Sequence, residues 1–204
     1  MSKIQFINNK KYRKIKSKVQ NDYLNLEVNE ENMSFVYALS KILKIKEKSF
    51  IKSLKSFKGL KHRHETFYKK NNKTFINDSK ATSFTASRFA LKNNNNILWI
   101  VGGLPKIGDR FQLEEVKKNI IKAYVIGKYT NYFKRFLKGK INFESCKTLN
   151  NAVNSIFKDI NNARERKITV LLSPASASYD QFKNFGDRGE KFKKLIKNYT
   201  KKYF

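Results

Sequence analysis

The chain has 204 residues, 40% of them hydrophobic and 14% aromatic, with a formal charge of +29 at pH 7. That composition supports a folded core of ordinary single-domain size and excludes a disordered or low-complexity chain. A single cysteine, Cys146, excludes an intramolecular disulfide, and no apolar run approaches the roughly 18 residues of a membrane span.

A field of that sign attracts nucleic acid, anionic lipid or phosphorylated ligands. Its texture argues against specific nucleic-acid recognition. Lys greatly outnumbers Arg and the basic residues are spread along the whole chain, whereas nucleic-acid readers cluster charge on one face and use Arg forks. The charge reads as compositional bias, with "NKKYRKIKSK" at 9–18 the best exception. Cys146 has no His nearby in sequence and reads as an inert buried thiol. One unpaired cysteine favours a reducing compartment. The N-terminal lysines lack a following apolar stretch, so no signal peptide is evident. A cytoplasmic monomer without membrane contact is expected.

In chain order, "YLNLEV" at 23–28 alternates like a strand. Asn29 or Glu30 opens a helix carrying Phe35, Ala38, Leu39, Ile42 and Leu43 at helical spacing. A second helix is expected over 47–57, and Gly59 is a plausible stop, so a boundary separates 1–58 from 59–204. "HETFYKK" and "KTFIND" read as strands joined at Asn71-Asn72. A helix is expected from Thr82 to Lys92, then an apolar strand "ILWIVGG", then a helix over "FQLEEVKKNI". "AYVIG" reads as a strand, "YTNYFKRFL" as a helix, "KINFES" as a strand and "LNNAVNSIFKDINNA" as a helix. "ITVLLSPAS" is the last strand and "DQFKNFGDRGEKFKKLIKNY" the last helix. Apolar strands alternating with helices imply an α/β fold: a Rossmann-like, mostly parallel sheet with helices on both faces. A small, mainly helical unit precedes it.

In open parallel sheets, ligands bind beyond the carboxyl ends of the strands. Three of those ends are small or polar: Asn77, Asp78, Ser79, Lys80 and Thr82; Gly102, Gly103, Leu104, Pro105 and Lys106; and Ser173 through Ser178. Each precedes a helix, so amides and helix N-termini can form an anion-binding rim. Simpler readings stay open. Asp78-Ser79 can cap the next helix, the glycine pair can be an ordinary turn, and "SPASAS" a small-residue crossing. Gly103 and Gly108 have P-loop spacing, but Asp109 and Arg110 follow where Lys and Ser/Thr are needed. His62 and His64 flank Arg63 and, on a strand, would share one face. With no other His and one Cys, no zinc site is expected.

The combination of "GLKHRHE", "FINDSKAT", the glycine pair followed by Lys106, and "LLSPASASYDQFKNFGDRGEKF" resembles the C-terminal part of the Mur ligases, most closely their D-glutamate-adding members. The resemblance runs from about Asn32 to the last helix. Ser176 stands where the family has Cys, and Tyr179 where an aliphatic residue is common. It implies an ATP-dependent amide ligase that adds D-glutamate to a UDP-N-acetylmuramoyl-L-alanine substrate in peptidoglycan synthesis, with Mg²⁺ as cofactor. It further implies that Asn32 lies near the adenine, that Arg63 contacts the nucleotide and Asp78 its ribose, and that Lys80 faces the reacting phosphates as the catalytic residue. By the same resemblance Thr82, Lys106, Ser178, Tyr179 and Phe185 hold D-glutamate.

The family's UDP-sugar domain, its glycine-rich phosphate loop and its Mg²⁺-binding acid have no counterpart in these 204 residues. Residues 1–58 resemble the end of the central ATP-binding domain, and 59–204 the C-terminal domain. The chain is therefore expected to be a truncated ligase or fragment, inactive alone and in need of the missing N-terminal half. Two other readings remain: a basic nucleic-acid-binding module, and a non-functional remnant whose first helices expose an apolar stripe.

Overall fold

The computed structural model describes residues 10–21, 23–25, 29–163 and 165–203. The chain divides into two compact units, Met1–Gly59 and Leu60–Phe204.

The first unit contains three helices among the described residues: α1 (Lys10–Lys16), α2 (Glu30–Ile42) and α3 (Glu47–Lys55). The basic run at 9–18 largely forms α1, which buries Tyr12 and Ile15. They join Val19, Leu24, Met33, Tyr37 and Phe50 in one small core. Two of the run's cations, Arg13 and Lys16, meet Glu30 at 2.6 and 2.9 Å. The strand expected over 23–28 lies partly outside the described residues, and 23–25 form a turn. Asn21 fixes that turn, its side chain accepting from Leu24 N and donating to Leu54 O and Phe57 O.

The second unit is a six-stranded sheet in the order β1-β2-β6-β3-β4-β5. Its strands are β1 (Glu65–Lys70), β2 (Lys73–Asn77), β3 (Ile97–Gly102), β4 (Ile120–Ile126), β5 (Phe143–Lys147) and β6 (Ile168–Leu172). β1 and β2 form an antiparallel hairpin, turned at Asn71 with φ of 48°, a left-handed conformation that Asn tolerates. Every other pairing is parallel. Every residue of β3 and β6 is buried, as central strands covered on both faces require.

The alternation of side chains along β3 divides the core. Trp99 and Val101 pack with α4 (Phe84–Lys92) and α5 (Thr130–Leu137) on one face. Leu98 and Ile100 pack with α6 (Leu149–Asn161) and α7 (Phe185–Tyr203) on the other. Helices on both faces of a mostly parallel sheet are the expected architecture.

Further expected elements differ, and the last helix, expected from Asp180, begins only at Phe185. The helix over 111–120 does not form: 111–116 run as loop and turn, a 3₁₀ turn covers Lys117–Asn119, and β4 already begins at Ile120. Phe111, Leu113 and Val116 are all buried in one cluster. On a helix, residues two apart point to nearly opposite sides, so Phe111 and Leu113 could not both reach that core. Phe111 stacks on Phe136 at 4.9 Å and meets Phe84 at 4.6 Å, which holds the segment extended. His62 and His64 are not on a strand either. Residues 61–64 form a turn and bend, and both histidines have positive φ, 63° and 46°.

Candidate functional site

β2, β6 and β3 are neighbours in the sheet, so the three polar strand ends lie side by side. Their loops are bonded together. Asp78 N donates to Leu172 O at 2.8 Å, and Gly102 N donates to Pro174 O at 2.9 Å. Leu104 and Ala177 exchange backbone hydrogen bonds in both directions. Gly102 and Gly103 make this approach possible. Both have φ near 130°, and a Cβ on Gly103 would stand 2.4 Å from Ala177 O. The glycine pair is thus a packing requirement as well as a turn.

Asp78 is only 6% exposed. Its Oδ1 accepts from His64 N at 3.0 Å and its Oδ2 from Ser173 Oγ at 2.7 Å. Burial raises its pKa to about 6, a rise moderated by the Ser173 and His64 hydrogen bonds and by the nearby Arg63 guanidinium. The carboxylate therefore ties the 61–64 turn to the ends of β2 and β6. It does not cap α4. That role belongs to Ser83, whose Oγ accepts from Ala86 N, and to Asp109, whose Oδ2 accepts from Phe84 N at 2.5 Å. Asp109, the residue that breaks the P-loop pattern, thereby anchors the Lys106 loop against the start of α4, next to Thr82.

Lys80 N donates to His62 O, and Lys80 Nζ sits 4.2 Å from the centre of the Phe185 ring. Phe185 in turn meets His62 edge-on at 6.1 Å, and its carbonyl accepts from Ser79 Oγ at 2.7 Å. Burial and the neighbouring Lys193 lower the His62 pKa, against the opposing pull of Glu190 and Glu65. Asn77 Nδ2 lies 2.9 Å from His62 Nδ1. With the amide donating, the neutral imidazole keeps its proton on Nε2, toward Glu190.

The expected site residues therefore fall into groups. Contacts join Asp78, Lys80 and Phe185 to the Arg63 turn. Ser178 is buried beside the Leu104–Ala177 bridge. Arg63, Thr82 and Lys106 are exposed on the rim loops, and Tyr179 is 71% exposed. No hydrogen bond or ion pair ties the Thr82, Lys106 or Tyr179 side chains to the Asp78–Lys80–Phe185 group among the described residues. Asn32 lies in the first turn of α2, exposed, in the other unit.

The residue absent from the sequence-derived set is Arg188. It is fully buried, yet charged. Its Nε donates to Ser79 Oγ at 3.0 Å and its Nη2 to Ser79 O at 2.9 Å and Ser176 O at 3.0 Å. Burial, partly offset by Asp180, brings its pKa down to about 10. Its Nη1 has no hydrogen-bond partner among the described residues, and a Cβ on Gly103 would lie 3.3 Å from it. One guanidinium thus knots α7, the Ser79 loop and the Ser176 loop together. A signal was present in the sequence. Arg188, Phe192, Ile196 and Thr200 recur every four residues and form the buried stripe of α7.

Chemically, the edge offers cations at Arg63, Lys80 and Lys106, hydroxyls at Thr82 and Ser178, and a buried acid. Cations and hydroxyl donors gathered at the carboxyl ends of parallel strands suit a small anionic ligand.

No family model matches the chain. Curated relatives match most of it. It is 39% identical over 175 residues, 86% of this chain and 34% of the relative, to the UDP-N-acetylmuramoylalanine--D-glutamate ligase of Wolbachia pipientis wMel. It is 37% identical over 171 residues, 84% of this chain and 38% of the relative, to the ligase of that name from Rickettsia felis. The chain thus spans about a third of the length of the curated relatives it matches. Among solved structures, MurF from Acinetobacter baumannii aligns with a TM-score of 0.59 at 16% identity, covering 84% of this chain and 37% of that one. MurF from Thermotoga maritima, solved in complex with ADP, aligns with a TM-score of 0.57 at 17% identity, covering 86% and 38%. Those structures share the fold, an α/β arrangement matching Mur ligase C-terminal domains. Given nearly two-fifths identity to D-glutamate ligases along most of its length, the chain belongs to the Mur ligase family.

Proposed function

We propose that this chain is the C-terminal portion of an ATP-dependent ligase that joins D-glutamate to UDP-N-acetylmuramoyl-L-alanine. The observation that carries the reading is the adjacency of "NDSKAT" and "SPASAS" on neighbouring strand ends, held together by Arg188.

In this reading the muramoyl-alanine carboxylate attacks the γ-phosphorus of ATP, the bond to the bridging oxygen breaks, and ADP departs. The amine of D-glutamate, after losing one proton, attacks the acyl carbon. Phosphate leaves with the bonding electrons, and the nitrogen gives up a second proton to leave the amide. Such chemistry depends mainly on positioning and on charge stabilisation. Arg63 and Lys80 supply positive charge for the nucleotide. Phe185 holds the Lys80 ammonium in place by a cation–π contact worth about 0.5–1 kcal/mol at an exposed position. Asp78 retains lone pairs for a ribose hydroxyl while fixing the Arg63 turn. Lys106, Thr82, Ser178, Tyr179 and Phe185 line the side that receives D-glutamate.

Mg²⁺ would neutralise phosphate charge when bound. Among the described residues no three His, Cys, Asp or Glu side chains gather together. By the family resemblance its ligands, like the phosphate loop, fall in the part of the relatives that this chain does not match. A cytoplasmic location completes the reading. Among the described residues no helix is long and apolar enough to cross a membrane.

Amide chemical-shift mapping tests the site. ATP should move resonances of residues 62–64 and 78–80, and D-glutamate those of 104–106 and 178–185, with L-glutamate much weaker. Shifts scattered over the lysine-rich surface and abolished by salt would indicate charge-driven binding and overturn the reading.

A further inference from the structure

We propose that the groove between β1 and α7 is a docking site for an acidic peptide segment bound in an extended conformation. It lies within the second unit, involves none of the residues assigned to nucleotide or D-glutamate, and does not depend on the ligase reading. The groove encloses about 630 Å³, with Phe67 and Tyr68 on one wall and α7 side chains from Glu190 to Lys201 on the other. A β-bulge between Thr66 and Tyr68 turns both aromatic rings to the α7 side, where a regular strand would alternate them. On α7, Lys193, Lys197 and Lys201 recur every four residues and share one helix face, at steps of about 6 Å. Lys193 is satisfied: its ammonium lies 3.2 Å from Glu65 and 2.8 Å from Glu190. Lys194, Lys197 and Lys201 are exposed, and no ion pair engages them among the described residues. The sequence has no acidic residue after Glu190, so the rest of α7 cannot neutralise them. A concave site walled by unneutralised cations concentrates anionic partners.

Three observations favour a peptide over a nucleic acid. The cations of the groove are all lysines, with no Arg fork for phosphate or base edges. Its two rings are committed to the core, Phe67 edge-on to Phe192 at 5.5 Å and Tyr68 against Phe75 at 5.7 Å, so neither is a free stacking platform for bases. β1 is the outermost strand, paired on one side only, and its outer main-chain groups can add a further strand. The spacing matches as well. Same-side residues of an extended strand are about 6.6 Å apart, close to the ~6 Å step between Lys197 and Lys201. Carboxylates at alternate positions therefore meet successive lysines. Charge argues against a second copy of this chain as the occupant, because exposed Lys69 on β1 and the α7 lysines would face their like.

Fluorescence anisotropy with a labelled peptide of alternating Glu and Thr tests the site on the full chain. The peptide should bind saturably at physiological ionic strength and move the amide resonances of 67–70 and 193–201. Lys197→Glu combined with Lys201→Glu, both at exposed positions and therefore compatible with folding, should weaken binding at least about tenfold. The charge-matched pair Lys118→Glu with Lys138→Glu, exposed on other elements, should change it less than about twofold. An isomer of the peptide with its Glu residues all at one end loses the alternate register and should bind several-fold more weakly. Four results overturn the proposal: absence of binding, equal loss from the two double variants, equal binding of the two isomers, or oligothymidylate that moves the same resonances and binds more tightly than the peptide.

Discussion

Replacing Asp78 with Asn isolates the cost of burying one carboxylate at the centre of the rim. Burial lifts the Asp78 pKa from 3.8 to about 6. A shift of roughly two units corresponds to about 3 kcal/mol, at about 1.4 kcal/mol per unit. The folded pKa lies above the unfolded one, so the folded state holds its proton more tightly between those values. The native unit is then favoured below about pH 4, loses stability as pH rises toward 6, and levels off above it. Asn cannot ionise, so the variant lacks this slope. It also loses an acceptor: with Oδ1 serving Ser173 or His64, its Nδ2 faces the other donor, at a cost of about 1–3 kcal/mol. At neutral pH the two effects largely offset. The informative quantity is the difference in unfolding free energy between wild type and Asp78→Asn across pH. It should shift by about 3 kcal/mol against wild type from pH 4 to pH 7. Trp99, the only tryptophan and fully buried in the sheet, reports urea unfolding of this unit by fluorescence. A difference that stays flat with pH, or grows in wild type's favour, would refute the account of the rim.

Three further outcomes are expected. Arg188→Ala strips the donors from Ser79 O, Ser79 Oγ and Ser176 O, and should cost about 3 kcal/mol or more in the same urea assay, at about 1–3 kcal/mol for each buried acceptor left unpaired; Arg188→Lys, which lacks the planar fork, should recover only part of that. Gly103→Ala forces a Cβ to within 2.4 Å of Ala177 O at a φ of 134°, and should cost about 2 kcal/mol or more, with faster amide exchange at Ala177 as the bridge to Leu104 loosens. The Cys146 thiol is buried, and burial together with Glu144 pushes it up to about 12. It should resist iodoacetamide at pH 8 in the native protein and react once urea unfolds the chain, whereas rapid native labelling would contradict its placement.

The polar strand ends were legible because each is a local event. An apolar run stops, a small polar segment follows, and a helix begins. The motifs in them carried the family resemblance as well. Arg188 was harder to find. Its neighbours in sequence are Gly, Asp and Glu, so it reads as part of a solvated helix start. Only the four-residue stripe it shares with Phe192 and Ile196 places it inside. The failed helix at 111–120 has a related cause. Its residues favour a helix individually, but burying Phe111 and Leu113 together against Phe84 and Phe136 overrides that preference. The backbone at His62 and His64 could not be read locally because the 61–64 turn is set by the Asp78 carboxylate, fourteen residues beyond His64.

The sequence by itself determined most of the alternation of strands and helices from residue 73 onward, the segment 111–120 excepted, because periodicity is a property of neighbouring residues. It also determined the membership that the motifs announce. Only the tertiary structure decided that β6 slips between β2 and β3, and so sets "SPASAS" beside "NDSKAT". Strand order arises from pairings between segments far apart in the chain, such as Ile76 with Leu171 and Trp99 with Leu171. Such pairings leave no mark on either segment alone.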